Sequence, residues 1–161
     1  MKKILVTGGT IFVIKYVAEY FEKKGYDVYV LNRNNHKQCD GVTLIEADRN
    51  KLGDVLKGYQ FDAVLDINAY MAKEVEGLLD ALDSFDDYVL ISSSAVYPEY
   101  ETQPFTEKTP VGENKFWGSY GTDKIAAEEV LTKRVPNAYI IRPPYLYGPM
   151  NNVYREAFVF D

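Results

Sequence analysis

Three clusters in this 161-residue chain have residue types and spacing suited to chemistry. The first is Tyr120-Gly121-Thr122-Asp123-Lys124. On a helix, positions i and i+4 share a face, so Tyr120 and Lys124 would point into one cleft. An ammonium beside a phenol favours the phenolate, and a phenol tuned in this way can exchange a proton with a substrate hydroxyl or carbonyl near neutral pH. The competing reading is a surface pair on an amphipathic helix. The second cluster is Ser92-Ser93-Ser94, at the end of an apolar run. One serine there would donate a hydrogen bond to a reacting oxygen. The other two would cap the strand end and satisfy local backbone. The third is Thr7-Gly8-Gly9-Thr10, between the apolar run Ile4-Leu5-Val6 and an apolar-periodic segment that begins at Ile11. That order is strand, tight turn, helix. Free amides and the helix dipole at such a turn favour an anion, and Gly8 and Gly9 have no Cβ to block a pyrophosphate. The alternative is a plain βα turn that happens to use two glycines.

The elements that must position these clusters alternate along the chain. Phe12, Tyr16, Val17, Tyr20 and Phe21 recur at helical spacing up to Gly25, a natural helix stop. Val28-Tyr29-Val30-Leu31 reads as a second strand, Val42-Thr43-Leu44-Ile45 as a third and Ala63-Val64-Leu65-Asp66-Ile67 as a fourth. Residues 51–56 read as a short helix, and 72–82 as a longer one with Val75, Leu78, Leu79 and Leu82 on one side. Tyr88-Val89-Leu90-Ile91 is a fifth strand that leads into the serines. Residues 98–118 form a long loop, 119–133 a helix that carries Tyr120 and Lys124, and Ala138-Tyr139-Ile140-Ile141 a sixth strand stopped by Pro143-Pro144. Strands alternating with helices imply right-handed crossovers and a parallel sheet. Their nearly continuous apolar runs imply helices on both faces. The fold class is therefore α/β, a doubly wound parallel sheet, and ligands of such sheets bind beyond the carboxyl ends of the strands.

Composition sets limits on function. The chain has one domain's worth of residues, 47% of them hydrophobic and 26% charged, which reads as soluble and globular. A net charge of −6 argues against a nucleic-acid partner held through its phosphates. Cys39 is the only cysteine, so no internal disulfide forms, in keeping with a reducing, cytoplasmic setting. The apolar run behind Met1-Lys2-Lys3 is too short for a signal peptide and Gly-Gly breaks it, while no segment approaches membrane-spanning length. His36 has no Cys or carboxylate partner at ligand spacing, so no metal site is assigned.

Taken in order, these segments resemble the extended short-chain dehydrogenase/reductase family, in its NAD-dependent epimerase/dehydratase branch. Residues 7–14 lie over the opening T-G-x-x-G-x-x-G. Ser92-Ser93-Ser94-Ala95-Val96-Tyr97 looks like S-S-x-x-V-Y, where the catalytic residue stands three before the Val, at Ser93 here. Tyr120 and Lys124 match Y-x-x-x-K, and residues 142–149 resemble R-P-x-x-x-Y-G-P, whose backbone, at Pro143, borders the nicotinamide. Two departures stand out. The second and third family glycines fall on Ile11 and Ile14. Ile14 should push the first helix from the sheet or force repacking, and Ile11 should crowd the backbone beside a pyrophosphate.

The resemblance implies a Rossmann domain over residues 1–149, and 150–161 as the start of an incomplete C-terminal substrate region. It implies an NAD(P)-dependent oxidoreductase, epimerase or dehydratase acting on a nucleotide-sugar or similar hydroxyl-bearing metabolite. Tyr120 would be the acid/base, Lys124 would hold the nicotinamide ribose, and Ser93 would orient the reacting oxygen. Gly8, Gly9, Thr10, Ile11 and Phe12 would border the cofactor, and Asp48 would approach its adenine. Ile67, Asn68 and Ala69 would run beneath it, with contacts made largely by backbone. Asn32 and Arg33 stand where an Asp or Glu would hold the ribose of NAD. Arg33 could instead pair with a 2′-phosphate, so the choice between NAD and NADP leans to NADP. Family members often dimerise through the helix bearing Tyr120 and Lys124 and the preceding one, which makes a homodimer an expectation. Relatives with similar openings have been linked to RNA binding, which the negative charge disfavours. The alternatives to an enzyme are a non-catalytic dinucleotide-binding or sensing protein and an inert truncated fragment.

Overall fold

Among the described residues, six strands form one parallel sheet in the order β3-β2-β1-β4-β5-β6. They are β1 (Lys3–Thr7), β2 (Asp27–Asn32), β3 (Thr43–Glu46), β4 (Gln60–Asp66), β5 (Ser84–Ile91) and β6 (Tyr139–Ile141). Helices α1 (Phe12–Lys23), α2 (Ala72–Ala81) and α3 (Ser119–Arg134) lie in the connections. The structure is a computed structural model, and residues 1–148, 150 and 151 are described. Pro149 of the R-P-x-x-x-Y-G-P segment and most of the expected C-terminal region, residues 152–161, lie outside the described residues.

The sheet is doubly wound because each strand carries apolar side chains on both faces. Ile4, Val6, Val28 and Val30 point to one face, where they pack with Ile14, Val17, Ala18 and Phe21 of α1 and with Cys39 of the loop between β2 and β3. Leu5, Leu31, Val64 and Leu90 point to the other, against Val75, Leu78 and Leu79 of α2 and Ala127 and Leu131 of α3. Each fully buried leucine there contributes about 1.5–3 kcal/mol. The order of winding reverses between β3 and β4, where the chain crosses to the other side of β1, so β1 and β4 are neighbours, with Ile4 opposite Ala63 and Val6 opposite Leu65. The carboxyl ends of β1 and β4 therefore flank the crevice where doubly wound sheets bind ligands.

Three elements differ from the sequence expectation, the first being β4, which starts at Gln60, three residues before Ala63. Residues 51–58 form successive turns rather than a short helix. Gly53 has φ +52° and Gly58 φ +80°, left-handed values that interrupt helical hydrogen bonding, while Leu52 and Leu56 still reach the core. Strand β5 begins at Ser84, four residues earlier than its apolar run. Its first half pairs with β4 (Gln60 opposite Ser84, Phe61 opposite Phe85), but Ser84, Asp86 and Asp87 face solvent and mask the strand. Residues 98–118 form an irregular loop pinned to the body of the domain. Asn114 Nδ2 donates to the Tyr97 carbonyl at 2.8 Å, and the Tyr97 and Phe105 rings stack at 4.5 Å.

Candidate functional site

The turn after β1 is shaped by its glycines. Gly8 and Gly9 have φ +97° and +103°, and a Cβ on Gly9 would stand 2.7 Å from Val30 Cγ1. Both positions therefore need glycine. Helix α1 follows with Ile11 as its N-cap, which supplies no side-chain acceptor. The first-turn N–H groups thus have no side-chain cap, an arrangement that could receive an anion. Phe12, the first residue of α1, has φ +47°, a strained value for a bulky residue, directly after the glycine turn.

Ile14 does not displace α1. Its side chain folds over Gly8, where an added Cβ would meet Ile14 Cγ2 at 2.9 Å, and it packs with the core beneath α1. The missing side chain at position 8 makes room for the extra one at position 14. Ile11 is 43% exposed and lies in extended conformation at the mouth of the cleft.

Two lobes of that cleft have volumes of about 360 and 380 Å³, each on the scale of a small-ligand pocket. They meet at a waist lined by Ile11, Ile14, Asn68 and Tyr70. The first lobe takes in Gly8, Gly9, Thr10, Asn32, Arg33 and Asp48. Asn32 is turned inward: its Nδ2 donates to the Gly8 carbonyl and to Gln38 Oε1, and its Oδ1 accepts from the Asn34 N–H at 2.8 Å. It braces the glycine turn. Arg33 is exposed at the rim, and its charge, with Lys51, adds to the Asn50 hydrogen bonds that hold the Asp48 carboxyl below its ordinary range. Cys39 is buried beneath the same turn, with Sγ 3.4 Å from the Gly9 carbonyl.

The second lobe brings together Phe12, Ile67, Ser93, Tyr120, Lys124 and Pro143. Ser93 caps a single 3₁₀ turn, Ser94–Val96, and its Oγ accepts from the Ala95 N–H at 3.2 Å. The hydroxyl proton is therefore still available to donate. Lys124 is 3% exposed and donates to the Ala69 carbonyl at 2.6 Å and the Ile91 carbonyl at 3.0 Å. Ala69, expected beneath the cofactor, is instead fully buried and lines neither lobe; its carbonyl is occupied by the Lys124 ammonium. Burial pulls the Lys124 ammonium below its ordinary pKa, against the attraction of Asp66 and Glu74. Its Nζ lies 5.1 Å from the Tyr70 ring centroid and 5.9 Å from that of Tyr120, so two phenol rings flank one cation. The Pro143 carbonyl accepts from the Ser94 N–H at 3.0 Å, and the preceding Arg142 binds Glu128 of α3 at 2.6 Å and donates to the Tyr97 hydroxyl at 3.0 Å. Among the described residues no group of three or more His, Cys, Asp or Glu could hold a metal.

Sequence reasoning missed a buried polar hub under the waist. Asp66, fully buried, accepts from Thr7 Oγ1 (2.9 Å), Tyr88 Oη (2.7 Å) and both terminal nitrogens of Arg49 (2.8 and 3.0 Å). Arg49 also donates to Asn68 Oδ1 and to the Glu74 carbonyl. The available signal was a carboxylate inside the apolar run 63–67, which must find a cation once buried.

Residues 4–158 match the NAD dependent epimerase/dehydratase family. The chain is 32% identical over 176 residues to the chloroplast stem-loop binding protein of 41 kDa b of Arabidopsis thaliana, covering 98% of this chain and 46% of that protein. It is 23% identical to UDP-glucose 4-epimerase of Erwinia amylovora, covering 80% of this chain and 47% of that one. The chain thus spans about half the length of the curated relatives it matches. Among solved structures, UDP-N-acetylglucosamine 4-epimerase from Bacillus cereus superposes with a TM-score of 0.75 at 23% identity, covering 98% of this chain and 66% of that chain. dTDP-glucose 4,6-dehydratase from Bacillus anthracis str. Ames, in complex with NAD, gives 0.75 at 19% identity, covering 94% and 57%. These structures share the fold found here. With its sheet order, its glycine turn and the match over residues 4–158, the chain belongs to the NAD dependent epimerase/dehydratase family.

Proposed function

We propose that this chain forms the dinucleotide-binding and proton-transfer part of an NAD(P)-dependent epimerase or dehydratase that acts on a nucleotide-sugar or a similar hydroxyl-bearing metabolite. The observation that carries this reading is the two-lobed cleft. The glycine turn opens into one lobe, and Ser93, Tyr120, Lys124 and Pro143 line the other. The residues present suit a dinucleotide. Gly8 and Gly9 leave no Cβ at the turn, and the uncapped N-terminus of α1 would hold the diphosphate. Gly8, Gly9, Thr10, Ile11, Arg33 and Asp48 would border the adenosine half. Phe12, Ile67, Lys124 and Pro143 would border the nicotinamide half. Bound nicotinamide supplies hydride exchange with a substrate carbon.

The remaining chemistry falls to side chains. Tyr120 takes or returns the proton of the reacting hydroxyl at its Oη. The Lys124 ammonium, fixed by two main-chain carbonyls, stabilises the charge left on that oxygen. Ser93, whose oxygen already accepts from Ala95, aims its own proton at the substrate oxygen. Calorimetric titration with NAD, NADH, NADP and NADPH tests the reading, with micromolar binding of one pair expected. In a form that turns over, Tyr120→Phe should leave the fold intact and abolish the rate; a retained rate would overturn the mechanism.

A second reading, a non-catalytic RNA-binding protein, has one specific support, the 32% identity to a stem-loop binding protein. The net charge of −6 opposes it. A folded chain that binds no dinucleotide but binds an RNA hairpin in a salt-dependent way would favour it.

A further inference from the structure

The Arg49 guanidinium is 91% buried by side chain and held by four acceptors: both oxygens of Asp66, the Glu74 carbonyl at 3.0 Å and Asn68 Oδ1 at 2.5 Å. A guanidinium has only donors, so the amide atom that faces it must be the oxygen. That fixes the other end of the Asn68 side chain. Its Nδ2 points to the glycine turn, 3.6 Å from the place a Cβ on Gly8 would occupy, at the waist shared by both lobes. Among the described residues, no protein oxygen accepts from this Nδ2. A half-buried amide is thus held with its acceptor satisfied and its donors presented to the cleft beside the turn.

We infer that the Asn68 side chain is a ligand-binding group whose Nδ2 donates to a diphosphate oxygen at the glycine turn, and that Arg49 is the positioning residue that turns it there. The inference rests on the dinucleotide reading above and deepens it. The resemblance assigned this segment main-chain contacts with the cofactor; the geometry gives position 68 a side-chain role. Asp66 matters in turn because its carboxylate and the Thr7 bond anchor Arg49 between β1 and β4.

Asn68→Asp discriminates this role from a purely structural one. The carboxylate keeps an acceptor for Arg49 but removes the donor and places negative charge beside the diphosphate. The probes are ADP, NAD and adenosine, titrated into the whole chain. Asn68→Asp should lose about tenfold or more in affinity for ADP and NAD and bind adenosine as wild type does, since a hydrogen bond to a charged oxygen is the larger kind. Asn68→Ala, which adds no charge, should lose about tenfold on ADP. Arg49→Lys, which keeps the charge but not the fork, should weaken ADP binding in the same direction while adenosine is unaffected. If Asn68→Asp and Asn68→Ala both bind ADP within twofold of wild type, the inference fails and the dinucleotide reading stands. Equal losses on adenosine and ADP would also overturn it, since the contact would not be with phosphate. A folded wild-type chain that binds neither ADP nor NAD overturns the dinucleotide reading, and the inference with it.

Discussion

Gly121 of α3 lies against the Ala95 carbonyl: a Cβ on residue 121 would stand 2.6 Å from that oxygen. The contact presses the first turn of α3 onto the 3₁₀ turn that Ser93 caps, so Tyr120 and Ser93 share a lobe. Gly121→Ala gains about 1 kcal/mol of helix propensity. It must then move one backbone against another, and overpacking of this kind costs about 1–3 kcal/mol. The two effects net to a loss of up to about 2 kcal/mol in urea unfolding, and Tyr120 should be drawn away from Ser93, with loss of rate in a form that turns over. Wild-type stability and rate together would show that the close approach is dispensable.

Asp66 connects the ends of β1 and β4 through Thr7, Tyr88 and Arg49. Burial, with Asp66 adding to it, pushes the Tyr88 hydroxyl well above the ordinary phenol range, so it remains a donor. Asp66→Asn leaves Arg49 buried beside a neutral amide that brings two surplus donors of its own. Removal of one partner of a buried pair costs about 3–5 kcal/mol. A loss of unfolding free energy of that size, seen as a lower urea midpoint with an unchanged m value, is the expected result. A loss below about 1 kcal/mol, the range of exposed pairs, would mean that the pair is solvated in solution.

How far the sequence revealed this arrangement depended on the kind of signal. The strand cores were legible because Leu5, Val30, Val64 and Leu90 sit in continuous apolar runs, and the α3 pair because Tyr120 and Lys124 are four apart. The front of β5 was not, since Ser84, Asp86 and Asp87 face water while their backbone pairs with β4. Residues 51–58 misled because Leu52, Val55 and Leu56 mimic helical spacing, whereas Gly53 and Gly58 decide the backbone. The hub of Arg49, Asp66 and Asn68 joins the loop after β3 to the end of β4, strands that are not neighbours in the sheet, so no local spacing announces it. Asn32 lay at the expected position, yet its side chain turns back to the glycine turn, because Gln38 and Gly8 offer it nearer partners than solvent.

The folded Lys124 ammonium has a pKa below its ordinary value of 10.5, chiefly through burial. Between that lowered value and 10.5 the unfolded chain binds more protons than the folded one, so this residue's contribution to stability rises with pH across that window. Lys124→Met removes the titration. The stability difference between wild type and Lys124→Met should therefore shift in favour of wild type as pH rises from neutral toward 10, followed by urea unfolding at each pH. The comparison cancels the tyrosines and carboxylates common to both. A difference that stays flat with pH would mean that Lys124 is solvated in the folded chain.

Arg33 bears on the choice of cofactor. The residue before it, Asn32, spends its amide on Gly8 and Gln38 and its oxygen on Asn34, so it offers no free carboxylate-like acceptor to a ribose. Arg33 is exposed at the rim of the first lobe, with Asp48 near enough to feel its charge. A 2′-phosphate there would gain a charge-assisted bond to the guanidinium, of the order of 1.5–3 kcal/mol. Arg33→Ala should then weaken NADPH binding by about tenfold or more while NADH binding holds. The loss should shrink with added salt, because the pair is solvent-exposed. Equal effects on the two cofactors would place Arg33 on the shared diphosphate. Tighter NADH binding in wild type, untouched by Arg33→Ala, would assign the chain to NAD and leave Arg33 as a solvated surface residue.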